Sequence, residues 1–237
     1  DWTCTSRLEG LYACPNLYQI KVENEYIYKW VLSDASGRFL VGDFDGRTFL
    51  PESEITETDL NSDFYGGKNW LNSPDGRIFN IGRFREDVTE EGAFPFSRGM
   101  TVATELKLLR VPDGYRLYRT PIAELQLLRK NSKKIKTSVK SGAPYTFTLT
   151  EPCEIQITLH KAKGTVRFTV GQHTFRYAGK ERILYFTDDP AARGTALTME
   201  KKHPLEIRGF FDRSSAELFY NGGEFGSAYR DMLEGAA

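Results

Sequence analysis

The sequence predicts an all-β protein of two parts, a propeller-like part over residues 1–130 and a β-sandwich over residues 131–237. Three observations lead to this prediction. Short runs of alternating apolar and polar residues, bounded by turn residues, dominate the first half. A helical segment and a polar stretch interrupt the alternation near residue 130. A second series of runs follows, with a cleaner division into two faces.

The first half contains six runs with the period of a half-buried strand. They cover residues 17–22, 26–32, 38–42, 65–71, 77–84 and 100–109. Turn signals such as Asp45-Gly46 and Pro112-Asp113-Gly114 separate them, because these residues tolerate left-handed backbone or hydrogen-bond their own turn. Meanders of such short strands are typical of propeller blades.

One segment departs from the strand pattern. Thr120-Pro121 is followed by Ile122, Leu125 and Leu128, which predicts a short amphipathic helix with proline in its first turn. Residues 129–134 are polar and basic without periodicity, which indicates a solvated connector rather than a binding patch. The boundary between the two parts is therefore expected near residue 130.

The second half contains seven candidate strands. They cover residues 145–149, 154–159, 165–170, 174–177, 183–186, 205–211 and 216–220. Gly171-Gln172 and Asn221-Gly222-Gly223 are hairpin-type turns. About seven short strands at this spacing predict a β-sandwich, and no motif in this half points to chemistry.

The overall charge and hydropathy exclude some partners. The chain carries 32 basic and 32 acidic residues, so no net charge favours nucleic acid or an anionic membrane. No apolar run approaches the roughly 20 residues that span a bilayer. We therefore expect neither nucleic acid nor a membrane as partner. Because the first residue is Asp and no signal-like segment follows it, the chain is interpreted as a mature product or a fragment.

Metal and nucleophile motifs are also missing from the sequence. Residues 43–46 begin like a calcium loop, but the later ligands do not follow, so a hairpin turn is expected there. The histidines are isolated, and the three cysteines are too few and too far apart for a disulfide framework or a zinc site. These residues are His160, His173 and His203, and Cys4, Cys14 and Cys153. We predict no metal and no cofactor.

The most informative stretch is residues 10–18, which read Gly-Leu-Tyr-Ala-Cys-Pro-Asn-Leu-Tyr. This stretch resembles glycoside hydrolase family 32, the invertase, inulinase and levanase family, whose corresponding strand typically reads Trp-Glu-Cys-Pro-Asp-Leu-Phe. Further matches follow in the family's order along essentially the whole chain. They include residues 41–49, residues 63–70 (Asp-Phe-Tyr-Gly-Gly-Lys-Asn-Trp), residues 113–117, residues 121–125 and residues 211–219.

The resemblance implies a five-bladed β-propeller followed by a β-sandwich. It begins where the family's third blade begins, so we expect the last three blades, a partial propeller over residues 1–130, before the sandwich. The family's nucleophile lies in an Asn-Asp-Pro motif and a transition-state-stabilising Asp in an Arg-Asp-Pro motif. Neither tripeptide occurs in these 237 residues. The resemblance also favours a secreted or periplasmic location.

The family's general acid/base is the Glu before Cys-Pro, and Ala13 occupies that position here. Retaining glycosidases need two carboxyl groups, one to attack the anomeric carbon and one to protonate the leaving oxygen. The methyl group of Ala13 can do neither. Glu9 lies four residues upstream, and in an extended strand it would be more than about 10 Å away. No catalytic residue is therefore predicted.

The resemblance places Asp63, Tyr65 and Trp70 at sugar-contacting positions, with Tyr12 and Arg83 as neighbours. Two alternatives stay open: Asp63 as a turn carboxylate, and Trp70 as part of the blade core.

Several departures from the family pattern accompany Ala13. Arg83 replaces the tryptophan usual after Gly82, Asn16 replaces an aspartate, and Gly66-Gly67 replaces Ala-Ala. Several changes around one pocket favour natural loss of activity over an engineered knockout.

Three hypotheses follow. The first is a truncated β-fructosidase homologue that is inactive alone, and the second is a non-catalytic protein that binds fructan, a sucrose-like sugar or another carbohydrate. The third is one part of an assembled or cleaved enzyme. Three of five blades leave two open edges, so the expected protein partner is a second copy or a separate N-terminal half of the propeller.

Overall fold

The computed structural model describes residues 8–60, 63–85, 99–141, 143–146, 148, 151–170, 173–185, 195–196 and 204–230. These residues form antiparallel strands and one short helix, which confirms the all-β prediction. The predicted turn at Gly171-Gln172 lies outside the described residues. Of the run predicted at 145–149, residues 145, 146 and 148 are described and lie in no strand.

The first part contains two antiparallel sheets with the meander topology of propeller blades. The first sheet consists of β1 (Asn16–Lys21), β2 (Tyr28–Ser33), β3 (Arg38–Phe44), β4 (Phe49–Pro51) and β5 (Thr56–Glu57), with β5 paired to β3. The second sheet consists of β6 (Phe64–Trp70), β7 (Phe79–Phe84), β8 (Thr104–Val111) and β9 (Gly114–Pro121). Asp45 lies in the hairpin between β3 and β4 and accepts hydrogen bonds from the backbone N–H groups of Arg47 and Thr48, which confirms the turn predicted there.

The two sheets pack against each other through their alternating apolar residues. Tyr18 and Ile20 from β1 and Val31 from β2 share one core with Leu108 from β8 and Leu117 from β9. The period-2 pattern of the sequence places these side chains on the facing surfaces of the sheets.

Three blades were expected in this part, but its described residues form two sheets. The run that begins at Met100 does not start a new blade, because its strand β8 pairs with β7 through Phe79 and Glu105 and continues the second sheet.

The predicted amphipathic helix is a 3₁₀ helix at Ala123–Leu128 with no buried residue. Pro121 ends strand β9 instead of lying in the first helical turn. Of the predicted apolar face, Leu128 is 75% exposed, whereas Ile122 and Leu125 are half-buried, so the face packs only in part.

The second part consists of two four-stranded antiparallel sheets. One contains β10 (Cys153–Leu159), β15 (Leu205–Phe211), β16 (Ser215–Tyr220) and β17 (Phe225–Arg230). The other contains β11 (Thr165–Val170), β12 (His173–Ala178), β13 (Ile183–Tyr185) and β14 (Thr195–Ala196). Phe175 from the second of these sheets meets Tyr220 from the first edge to face, with ring centroids 6.2 Å apart. One shared apolar core between two sheets is the arrangement of a β-sandwich.

The hairpin of β16 and β17 connects the two parts. The backbone N–H groups of Leu60 and Asp63 donate to the carbonyls of Gly226 and Ala228, at 3.0 and 2.7 Å. Arg119 N donates to the Gly223 carbonyl at 2.9 Å. The hairpin is thus hydrogen-bonded into the first part, and the boundary at residue 130 stays a prediction.

Beneath the hairpin lies a buried polar group of three ionisable side chains, Asp59, Arg119 and Glu217. Arg119 from β9 forms an ion pair with Asp59, and these side chains are 6% and 2% exposed. The N–H of Val102 donates to Oε1 of Glu217 at 2.7 Å. Burial raises the pKa of Glu217 to about 8, against the opposing effects of this hydrogen bond and of Arg119.

No helix among the described residues is long and apolar enough to cross a membrane. Within the same residues, no group of three or more His, Cys, Asp or Glu side chains could hold a metal ion.

Candidate functional site

The position predicted for the acid/base lies where the two sheets of the first part begin. Ala13 is exposed and precedes β1, and Asp63 directly precedes β6. Nδ2 of Asn16 at the start of β1 donates to the carbonyl of Gly67 in β6 at 3.0 Å, so the starts of these strands are neighbours. We call residues 12–16, 34–36, 63–68 and 83–85 the site rim.

The segment around Ala13 is bent and is held by backbone hydrogen bonds. Its residues 8–15 form no strand. The N–H of Tyr12 donates to Oδ2 of Asp34 at 3.0 Å, and the N–H of Ala35 donates to the Ala13 carbonyl at 2.9 Å. The expected distance between Glu9 and Ala13 assumed an extended strand, and this assumption does not hold because residues 8–15 form no strand. Glu9 itself is exposed.

Cys14 adopts a strained backbone conformation next to Ala13. Its φ is 52°, in the left-handed region that non-glycine residues rarely occupy. Lys68 Nζ donates to the carbonyls of Cys14 and Pro15 at 3.3 and 3.2 Å. Such strain persists only where the surroundings hold it, and it is concentrated at functional sites.

Asp34 supplies the buried carboxylate of the site rim, at 3% exposure. Oδ1 accepts from the backbone N–H groups of Ser36 and Arg38 at 2.9 and 3.0 Å. Oδ2 accepts from Tyr12 and pairs with the Arg38 guanidinium at 2.6 Å. Both oxygens are thus engaged in holding the turn and the Ala13 segment, and Asp34 is not placed to replace the missing acid.

Two arginines from the end of β7 contact the ring of Tyr65. Arg83 is the cross-strand partner of Tyr65, and its guanidinium carbon lies 5.0 Å from the ring centroid. The guanidinium carbon of Arg85 lies 5.1 Å from the same centroid, and Nη2 donates to Oγ of Ser36 at 3.1 Å. A β-bulge between Tyr65 and Lys68 shifts the register here, and Gly66 has a φ of 66° that suits glycine.

The structure brings together some of the predicted sugar-contacting residues and separates others. Tyr65 and Arg83 are in contact, and Tyr12 is joined to the same rim through Asp34. Asp63 is half-buried, and its backbone carbonyl accepts from the N–H of Arg85 at 2.8 Å. The role of each residue in sugar binding stays a prediction.

Trp70 lies at the other end of β6, five residues from Tyr65, or about 16 Å along an extended strand. It is 58% exposed, so the alternative interpretation of Trp70 as blade core is wrong.

Lys68, Arg85 and Ser36 belong to the site rim and were missed in the sequence. Arg85 follows Arg83 by two residues, directly after the end of β7, so the period-2 rule of the strand could have placed both on the same face. Lys68 and Ser36 gave no such signal, because their contacts depend on the pairing of distant segments.

The comparisons with known proteins agree with this architecture. A family model for the glycosyl hydrolases family 32 N-terminal domain matches residues 3–121, about half of the chain. The levanase of Bacillus subtilis (strain 168) is 28% identical over 258 residues, which cover 91% of this chain and 38% of the levanase. The sucrose-6-phosphate hydrolase of the same strain is 25% identical, over 90% of this chain and 48% of that protein. The chain thus spans less than half the length of either relative.

A crystal structure of exo-inulinase from Aspergillus awamori has the same fold. It matches with a TM-score of 0.78 at 19% sequence identity, over 100% of this chain and 56% of the inulinase chain. The family model, the relatives and the fold agree. The chain therefore belongs to glycosyl hydrolase family 32.

Proposed function

We propose that this chain is a β-fructosidase homologue that does not hydrolyse fructosides by itself. The observation that carries the proposal is Ala13 at the acid/base position, on a segment that is hydrogen-bonded to Asp34 and Ala35. A leaving alkoxide needs a proton from a positioned acid. Asp34, the carboxylate in contact with this segment, is buried and fully engaged with Arg38 and backbone N–H groups.

The test is to incubate the chain with sucrose, inulin and levan and to measure released fructose. We expect none above the level of a heat-denatured sample. Turnover that survives further purification would contradict the proposal.

A second candidate function is carbohydrate binding without catalysis. The strained backbone at Cys14 and the 67% exposed ring of Tyr12 favour it, since an exposed ring beside a rigid segment can stack on a sugar face. Calorimetric titration with fructo-oligosaccharides tests it, with Tyr12→Ala as the variant and Tyr26→Ala, also at an exposed tyrosine, as the control. Absence of heat with every fructo-oligosaccharide would contradict fructan binding.

The third candidate is one part of an assembled enzyme. On the first sheet, the face opposite the second sheet includes Leu17 and Tyr28, which are 36% and 61% exposed. A second copy or an N-terminal propeller half could cover that face. Sedimentation of the chain alone shows whether two copies associate. Restoring the acid by Ala13→Glu, in an assembly with an N-terminal propeller half, and measuring released fructose tests whether the assembly is an enzyme. Continued absence of activity in that assembly would contradict this candidate.

A further inference from the structure

A small polar cavity lies between the two sheets of the first part. Its volume is about 20 Å³, and its wall includes side chains from both sheets. They include Tyr18 from β1, Asn69 from β6, Asn80 from β7 and Arg119 from β9. Pockets for small-molecule ligands enclose about 300–1,000 Å³, whereas one water molecule needs only about 10–15 Å³. The cavity therefore has room for one water molecule and not for a sugar.

Each of these four side chains has a buried polar atom without a hydrogen-bond partner among the described residues. The atoms are Oη of Tyr18, Nδ2 of Asn69, Oδ1 of Asn80 and Nε of Arg119. Tyr18, Asn80 and Arg119 are 2%, 7% and 5% exposed. Native proteins leave few buried polar atoms unpaired, because an unpaired atom has lost its contact with water without gaining a partner. Four such atoms around one cavity point to a common ligand.

The four atoms form a complementary set of donors and acceptors. Nδ2 of Asn80 donates to Oδ1 of Asn69 at 2.7 Å, which leaves a donor on Asn69 and an acceptor on Asn80. Exchanging N and O in both amides would leave the same pair of groups with the roles reversed. Nε of Arg119 only donates, and the hydroxyl of Tyr18 can accept. A water molecule accepts two hydrogen bonds and donates two, so it can satisfy all four atoms.

The hydroxyl of Tyr18 lies close to other polar groups without bonding to them. Burial raises the pKa of Tyr18, and the side chains of Asn69 and Ser33 lower it in part. These side chains therefore lie near the hydroxyl, yet Oη has no bond of acceptable geometry within the described part of the chain. A water molecule can join groups that are close but not directly bonded at modest entropic cost.

We propose that one water molecule binds in this cavity as a constant part of the fold and joins the two sheets through these four side chains. Asp34 and Gly67 of the site rim line the same cavity, so the water lies directly behind the rim. Because Asp34 follows β2 and Gly67 lies in β6, the water also holds together two segments of the rim that come from different sheets. The inference concerns a ligand of the fold and does not depend on the proposed function.

A high-resolution crystal structure of the full chain tests the site directly. We expect one density peak in the cavity, within about 2.5–3.2 Å of at least three of the four atoms. A cavity without density, or direct hydrogen bonds between the Tyr18 hydroxyl and the two amides, would overturn the inference.

The variant Tyr18→Phe tests the same site in solution, by differential scanning calorimetry. It deletes only the hydroxyl, the atom that distinguishes Tyr18 from the phenylalanine of the family's typical motif. If water bonds the hydroxyl, the variant loses a hydrogen bond of the fold, and its melting temperature falls by about 2–4 °C for a chain of this size. If the hydroxyl is unpaired, its removal relieves a buried polar group and the melting temperature rises.

Tyr220→Phe is the matched control. Tyr220 is also buried, and its hydroxyl lies 3.2 Å from Oγ of Ser227 in a direct hydrogen bond between side chains. We expect both variants to melt at a lower temperature than the wild-type protein. A lower melting temperature for Tyr220→Phe, together with an unchanged or higher one for Tyr18→Phe, would overturn the inference. The lack of hydrolysis is decided separately, by the fructose-release assay.

Discussion

Arginine performs opposite tasks in two regions of this molecule. Beneath the connecting hairpin, Arg119 is buried and paired with Asp59. At the site rim, Arg85 is exposed and has a hydroxyl and a ring as neighbours. A buried charge must be compensated within the fold, whereas an exposed one is compensated by water or by a ligand. The buried pair of Arg119 and Asp59 should therefore govern stability, and the exposed Arg85 should govern ligand recognition.

The largest effect is expected where the buried pair is broken. Arg119→Met leaves the carboxylate of Asp59 buried without its cation, and we expect a loss of about 3–5 kcal/mol in the free energy of unfolding. Urea denaturation measures it. Arg116→Met is the control on the same strand, because Arg116 pairs with an Asp113 side chain that is 62% exposed and should lose less than about 1 kcal/mol. Equal losses in the two variants would contradict the contrast between the regions.

The second effect is a pH dependence from Glu217. Its pKa is raised from 4.5 to about 8 in the folded protein, so the folded state binds more protons than the unfolded state between these values. The contribution to stability is complete below pH 4.5 and is lost as the pH rises through 8. Glu217→Gln should remove this slope, because the amide does not titrate.

Urea midpoints of both proteins between pH 4.5 and 8.5 measure the slope by difference. Identical slopes for the wild-type protein and the variant would show that Glu217 is not protonated when buried.

A third, smaller effect concerns the buried carboxylate within the site rim. Asp34→Asn removes the charge that pairs with Arg38 and one acceptor of the rim's N–H groups, and we expect a loss of about 2 kcal/mol. Asp45→Asn is the matched control, since Asp45 also accepts from two backbone N–H groups but is exposed. A larger loss at Asp45 than at Asp34, measured by thermal unfolding, would contradict this assignment.

The smallest effect on stability is expected at the exposed cation. Arg85→Gln should change the free energy of unfolding by no more than about 0.5 kcal/mol, because the side chain is exposed and its contacts are replaceable. The same urea experiment measures it. A loss as large as that of Arg119→Met would place Arg85 among the structural residues and remove the distinction between the regions.

Periodicity predicted the strands well and their assembly less well. The alternation of Tyr18, Ile20 and Val22 identified β1 and its buried face, since a half-buried strand obeys a local rule. The three blades expected from the resemblance are not found among the described residues, where the pairing of β7 with β8 leaves two sheets in the first part. The helix was assigned the wrong type and burial because leucine spacing does not reveal whether anything packs against it.

Only the site residues that lie in the family motifs could be predicted from the sequence. Ala13, Tyr65 and Arg83 occupy positions recognised in the sequence, and the structure places Tyr65 and Arg83 in contact. The involvement of Lys68 could not be seen, because its bonds to Cys14 and Pro15 join segments more than 50 residues apart.

The hairpin that connects the two parts also constrains how the chain folds. Thr120 bonds to Gly222 across 102 residues, and Val102 bonds to Glu217 across 115 residues. Contacts of such sequence separation require large loops to close, which slows folding. The exposed stretch around residues 130–141 is the natural place for a protease to cut. A cut there would leave two pieces still joined by the hairpin, so that the nicked protein would separate only on denaturation.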